Sequence, residues 1–252
     1  VSLQLCQLRA ERGSFSLAVD QWALQPGNVG AVLGCNGAGK STLFSLLSSE
    51  AQYAGEVRLH GRELRSWPSS ARARHIGVLP QSSQLAFAFT AEEVVALGLT
   101  PLSLGWRAGR AAVHRALAQV DCLALADRAF PTLSGGERQR VQLARVLLQL
   151  SEAEAPPLLL LDEPTSAQDL GQQHTVLSLL RDLARHEDYL VVAILHDLNQ
   201  VLRYSDECLL LRQGAAVATG RPEGVLTPAT VERCWGYRPR RLGEPGCVPA
   251  LL

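Results

Sequence analysis

The sequence contains no methionine and a single lysine, Lys40, so almost all of its positive charge is carried by arginine. Lys plus Arg and Asp plus Glu each number 24, which gives a formal net charge of zero. That balance leaves no basic surplus of the kind that coats nucleic acid, and no nucleic-acid partner is expected. Long apolar runs are missing too. The aliphatic stretch Leu158 to Leu161 is far too short to cross a bilayer, and no basic segment leading into an apolar one stands at the amino terminus. The cysteines Cys6, Cys35, Cys122, Cys208, Cys234 and Cys247 are scattered, with no Cys-x-x-Cys pair and no histidine at zinc-ligand spacing. This pattern speaks against a disulfide framework or a metal site and for reduced thiols. The expectation is a cytoplasmic chain that works at a membrane only if another protein holds it there. With no Met at position 1, a processed or edited start is expected.

What is present suits a large α/β domain. A chain of 252 residues with 47% hydrophobic content can bury a sizeable core and carry a small inserted lobe. Leu3, Leu5 and Leu8, then Phe15, Leu17 and Val19, alternate as two strands joined by a turn at Gly13, an antiparallel unit near the amino terminus. Residues 29 to 33 read as a buried strand, Gly39 to Ser49 as a helix, and Glu56 to His60 and His75 to Leu79 as strands. From 90 to 150 the pattern turns helical. Thr90 can cap a helix carrying Val94, Val95 and Leu97, and further helices fit Ala111 to Val120 and Gly135 to Leu150. This region, about 82–150, reads as a helical lobe inserted in a single domain. Strands return at Leu158 to Leu161 and Leu190 to Leu195 around a helix over Leu170 to His186, a βαβ unit that implies a parallel sheet. A hairpin turning at Gln213 and Gly214 and a short helix after Thr227 complete the pattern.

Two motifs carry phosphate chemistry. Gly34, Cys35, Asn36, Gly37, Ala38, Gly39, Lys40 and Ser41, with Thr42 next, match G-x-x-x-x-G-K-[ST] between a predicted strand and a predicted helix. Small residues let backbone N–H groups close around phosphate oxygens, and the helix directs its positive end at them. Lys40 is expected to reach the β- and γ-phosphates of ATP while the Ser41 hydroxyl ligates Mg²⁺. Leu158 to Leu161 then deliver Asp162 and Glu163 at the carboxyl end of a strand, Asp162 for Mg²⁺ and Glu163 as the base that aligns and activates water. Alone, the second pattern is weak; paired with the first it predicts a P-loop NTPase core.

Leu133, Ser134, Gly135, Gly136, Glu137, Arg138 and Gln139 match the LSGGE(R)Q signature of ABC ATPases, and the chain resembles that family. Locally, Ser134 caps a helix and two glycines expose amides at its positive end. The resemblance implies that Ser134, Gly135, Gly136 and Glu137 meet ATP bound by the phosphate loop of a second copy, so the functional unit is a homodimer closed by ATP. It further implies that Gln81 is the lid glutamine that contacts Mg²⁺ and the attacking water, that His196 is the switch histidine at the γ-phosphate, and that Asp169 belongs to the loop crossing the dimer interface.

Some positions depart from the family pattern. Where an aromatic residue usually stacks on adenine, this sequence has Glu11-Arg12-Gly13, which leaves Arg12 or Phe15 for that role. Cys35 replaces the usual Pro of the loop, and Gln168 replaces a typical Leu. Residues Pro80 to Phe87 and Phe89 to Val95 are similar to haem-importer ATPases, and His196 to Tyr204 is shared with siderophore and cobalamin importers. The resemblance therefore implies a peripheral subunit at the cytoplasmic face of the inner membrane. It would dock on a permease dimer through the lobe near 82 to 100 and serve, indirectly, a substrate-binding protein. Haem is the first expected cargo, with cobalamin or a ferric siderophore as the alternative. A soluble, non-transport ABC ATPase would usually need a second cassette or a long coiled coil, and neither is present. A non-hydrolysing cassette predicts damage at Glu163, His196 or the signature, and all are intact.

Overall fold

The computed structural model describes residues 2–48, 51–81, 89–166, 168–242 and 250–251. In chain order its elements are β1 (Leu3–Arg12), β2 (Phe15–Leu24), β3 (Val29–Leu33), α1 (Lys40–Leu47), β4 (Ala54–Leu59), β5 (Arg62–Glu63), α2 (Ser69–His75), β6 (Ile76–Leu79), α3 (Ala91–Ala96), α4 (Trp106–Gln119) and α5 (Gly135–Leu150). There follow β7 (Leu158–Asp162), α6 (Leu170–Glu187), β8 (Leu190–Ile194), α7 (Leu198–Tyr204), β9 (Glu207–Arg212), β10 (Ala215–Gly220), α8 (Pro222–Val225), α9 (Pro228–Trp235), β11 (Arg241–Leu242) and β12 (Ala250–Leu251). The contacts divide the chain into two compact units, one of Val1–Trp67 with Leu180–Leu252 and one of Pro68–Leu179. Residues 82–88, where part of the haem-importer resemblance and the start of the expected docking segment fall, lie outside the described residues, as do Ser49, Ala167 and Cys247.

In the first unit the strands run in the order β5-β4-β1-β2-β10-β9-β3-β8. β1 pairs antiparallel with β2 and β4, forming the expected amino-terminal antiparallel region, whereas β3 pairs parallel with both β8 and β9. Every residue of β3 and β8 is buried, as a strand covered on both faces of a parallel sheet requires. The buried positions of β1 change phase, from Leu3 and Leu5 to Leu8 and Ala10. A register shift between Cys6 and Arg9, with Gln7 at φ 49°, inserts the extra residue. Uniform alternation would have turned Leu8 to solvent.

The second unit holds the parallel pair β6 and β7 and the helices α3, α4 and α5. α3 opens with a complete capping box, Thr90 Oγ1 accepting from the Glu93 N–H while the Glu93 carboxylate accepts from the Thr90 N–H. α5 occupies the residues that its pattern predicts and buries Val141, Leu143, Ala144, Val146, Leu147, Leu148 and Leu150. Several elements differ from the sequence reading, among them β4, which spans Ala54–Leu59 instead of Glu56 to His60. His75 is the last residue of α2, its Nδ1 2.8 Å from the Ala71 carbonyl, so β6 begins at Ile76. α2 was unreadable because Ser69 to Arg74 offer no apolar periodicity. α4 starts at Trp106, not Ala111, because its buried stripe Gly109, Ala112, Val113, Ala116 and Leu117 reaches back past the arginines, and its cap, Gly105, makes no side-chain cap bond. Among the described residues, no helix is long and apolar enough to cross a membrane.

The β9–β10 turn braces the loop between β3 and α1. Gly214 donates to the Ala38 carbonyl at 3.2 Å, and its own carbonyl accepts from the Ala18 N–H. At φ 79°, with a Cβ that would stand 1.9 Å from the Ser16 carbonyl oxygen, this position admits only glycine. Gly214→Ala is expected to lower stability by about 1–3 kcal/mol. Urea unfolding would read this loss, and an unchanged midpoint would show that the turn yields freely.

Candidate functional site

The loop from Gly34 to Gly39 joins the buried end of β3 to the start of α1. Its reversal uses left-handed backbone at Gly37 (φ 77°) and Gly39 (φ 105°). A side chain at Gly39 would collide at 2.9 Å with Leu17 and with the ring of Phe15, so the loop lies directly on β2. Lys40 is only 8% exposed, and its Nζ donates to the carbonyls of Gly34 at 2.8 Å and Cys35 at 3.1 Å. The amine is thereby folded over the loop it begins from, within reach of anything the loop encloses. Ser41 is exposed and Thr42 half-buried in the first helical turn. No side chain caps α1, in contrast to Thr90, Ser134, Asp197 and Thr227 at the starts of α3, α5, α7 and α9. An uncapped helix start behind a glycine loop presents its first amides and its positive end to an anion, which fits a nucleotide phosphate.

Within the same unit, parallel pairing sets His196 beside this loop in height. Val32 is opposite Ile194, so Gly34 and His196 each lie two residues beyond a matched pair at the carboxyl edge. His196 is exposed, and the next residue, Asp197, caps α7 by accepting from the N–H groups of Asn199 and Gln200. Cys35 is half-buried, with its Sγ 3.1 Å from the Cys234 carbonyl. Of the candidates for adenine, Phe15 lies against Gly39 and Gly214, while Arg12, its partner across the β1–β2 ladder, is exposed.

The second unit repeats the same geometry. Leu79 is opposite Leu161 in the β6–β7 pair, so Gln81 and Glu163 are level, and the Gln81 Nε2 donates to the Glu163 carboxylate at 2.7 Å. Asp162 ends β7, half-buried. Glu163 stands at φ 53°, an uncommon conformation for a residue with a side chain. Its main-chain carbonyl accepts from Gln139 Nε2 at 3.1 Å, Ser166 N at 3.2 Å and Ser166 Oγ at 3.1 Å. Gln139 was read only as the close of the signature; this contact was not anticipated. Asp162 and the amide oxygen of Gln81 are hard oxygen donors, as is the Ser41 hydroxyl of the first unit, and such donors suit Mg²⁺.

Ser134 and Glu137 form a capping box at α5: Ser134 Oγ accepts from the Glu137 N–H at 3.3 Å, and the Glu137 carboxylate accepts from the Ser134 N–H at 2.7 Å. Gly135 and Gly136 are half-buried in the first turn of the helix. The exposed Asp169 accepts from the Gln172 N–H at 2.9 Å in the first turn of α6.

A glycine loop and lysine following a buried parallel strand, together with a strand ending in paired carboxylates, define a P-loop NTPase. A family model described as ABC transporter matches residues 17–166. The hemin import ATP-binding protein HmuV of Shewanella denitrificans is 52% identical over 215 residues, covering 85% of this chain and 85% of that protein. Its counterpart in Pseudomonas entomophila is 50% identical over 231 residues, covering 91% and 90%. Among solved structures, a metal-chelate type ABC transporter in an inward-facing conformation aligns with a TM-score of 0.83 at 28% identity, covering 100% of this chain and 97% of that one. The chain belongs to the ABC transporter family, as one of its ATPases.

The Ser134 N–H, followed by the rest of the cap, holds the Glu137 carboxyl below its ordinary value. A lowered folded pKa stabilises above the unfolded pKa, and this contribution is lost as pH falls through the folded one. Glu137→Ala is therefore expected to be less stable than the parent at neutral pH, with the gap closing below the folded pKa. Thermal unfolding at neutral and acid pH measures the gap; a gap of constant size would contradict the assignment.

Proposed function

We propose that this chain is the ATP-hydrolysing subunit of a haem importer, held at the cytoplasmic face of the cell membrane by a separate permease dimer. The observation that carries the cargo assignment is the 52% identity, across 85% of both chains, to a hemin import ATP-binding protein. Permease docking is supported by exposed apolar side chains in the helical lobe of about 82–150, where Trp106 is 77% and Leu97 43% exposed. A surface groove of about 310 Å³ there is lined by Ala96, Leu99, Trp106 and Val113 among others.

In the proposed mechanism, the amides of residues 36 to 42 and the Lys40 ammonium bind the β- and γ-phosphates of ATP. Ser41, Asp162 and Gln81 would hold Mg²⁺. When bound, Mg²⁺ supplies positive charge that offsets the charge on the phosphate oxygens. Gln81, already hydrogen-bonded to Glu163, orients the attacking water with it. Glu163 accepts a proton as the water oxygen bonds to the γ-phosphorus and the bond to the β,γ-bridging oxygen breaks, releasing ADP and phosphate. His196 contacts the γ-phosphate. Ser134, Gly135, Gly136 and Glu137 reach the ATP of a second copy, and Asp169 lies in the loop that crosses between copies. The two units work as one ATPase domain. ATP thus joins two copies, and its hydrolysis releases them, which drives the permease between its two facing states.

The test is ATPase activity of the permease complex in lipid with its substrate-binding protein. Haem-loaded binding protein should stimulate phosphate release more than binding protein offered cobalamin or a ferric siderophore. Equal or inverse stimulation would overturn haem as the cargo.

A further inference from the structure

The base proposed above sits in an unusual backbone conformation, and Gln139 and Ser166 hydrogen-bond its carbonyl. At φ 53°, Glu163 occupies a region that a residue with a Cβ keeps only where its surroundings enforce it. Among the described residues, Ser166 in the same turn bonds its carbonyl through N–H and Oγ, and Gln139, a residue on α5, bonds it as well. Gln139 is in turn oriented from behind. Its Oε1 accepts from Gln168 Nε2 at 3.1 Å, which commits its own Nε2 to the Glu163 carbonyl. Gln168 Nε2 also lies 3.3 Å from the Pro164 carbonyl, one residue past Glu163. Both glutamines are half-buried, and Gln139 links residues distant in sequence, Glu163 and Gln168. Leu, the residue more usual at position 168, could make neither bond.

We propose that Gln139 and Gln168 are positioning residues that set the carboxylate of Glu163, acting as one unit in which Gln168 fixes the amide of Gln139 and Gln139 fixes the backbone of the base. The inference rests on the reading of Glu163 as the base. Its consequence is a mechanical link inside one subunit. α5 begins at the signature, and Gln139 stands one turn inside that helix, so whatever engages Ser134 to Gly136 also bears on the subunit's own base. A shift of the helix by a fraction of a turn would carry the signature residues with it and alter the hydrogen bond to Glu163.

The experiment is steady-state kinetics of the full chain in its permease complex, for Gln139→Met, Gln168→Leu and the double variant, with Tm recorded for each. Met keeps the length of glutamine and removes both hydrogen bonds. Gln139→Met should lower kcat about tenfold, as expected for one hydrogen bond that matters in the transition state, with KM for ATP and Tm little changed. Gln168→Leu should lower kcat severalfold, and the double variant should be no slower than Gln139→Met, because both residues act through one contact. Parental kcat in Gln139→Met, a loss carried by KM, or independent and multiplying losses in the double variant would overturn the proposal. Should Gln139→Met fail to fold, Gln168→Leu decides: parental kcat there overturns it. Glu163→Gln in the same assay separates the two readings. If that variant hydrolyses ATP normally, the base assignment itself fails; if it is inactive while the glutamine variants are unimpaired, only this inference fails.

Discussion

Parallel pairing between buried strands is the constraint on which the rest depends. In a parallel ladder the carboxyl ends of neighbours lie at the same edge, and residues at equal distance beyond a matched pair stand level. Val32 opposite Ile194 sets Gly34 level with His196, and Leu79 opposite Leu161 sets Gln81 level with Glu163. Aliphatic burial enforces this register. All of β3 and β8 is buried, as are the four leucines of β7, so a slip by one residue would drive polar loop residues into the interior and move every chemical group off its edge. Hydrophobic packing therefore controls the alignment of groups that are themselves polar.

Each edge then prepares its groups differently. The loop before α1 leaves its helix uncapped and folds the buried Lys40 onto two loop carbonyls, whose hydrogen bonds help to compensate its charge. The turn after β7 instead stores strain: Glu163 is left-handed, tied through its carbonyl and met at its carboxylate by Gln81. Strain at that one residue and relaxed geometry in β7 suit a group whose direction matters more than its local stability.

The motifs were legible in the sequence because each is a backbone requirement written as residue types. Glycines at 37 and 39 answer positive φ, the Ser134–Glu137 spacing announces a capping box, and four leucines before Asp162 announce a buried strand. The hairpin at Gln213 and Gly214 and the extent of α5 were readable for the same reason. The bulge at Gln7 was not, since its cause is pairing with β4, residues away in sequence. Nor was α2, whose exposed polar residues give no period. The Gln139–Gln168 contact escaped because its partners lie 29 residues apart on different elements. Its only signal in the sequence is the glutamine at 168 where Leu is typical.

The proposed hydrolysis depends on Glu163 as the group that accepts a proton from water. In Glu163→Gln the amide keeps the shape of the side chain and can still hydrogen-bond, so ATP binding by Lys40, Ser41 and their neighbours should persist while proton acceptance is lost. Light scattering of the isolated variant with ATP and Mg²⁺, alongside phosphate release, tests this directly. The expected result is hydrolysis reduced by ~10²–10⁴-fold, the usual range for positioned general-base help, and accumulation of an ATP-bound dimer. Near-parental phosphate release, or a variant that stays monomeric at high protein and ATP concentration, would contradict it.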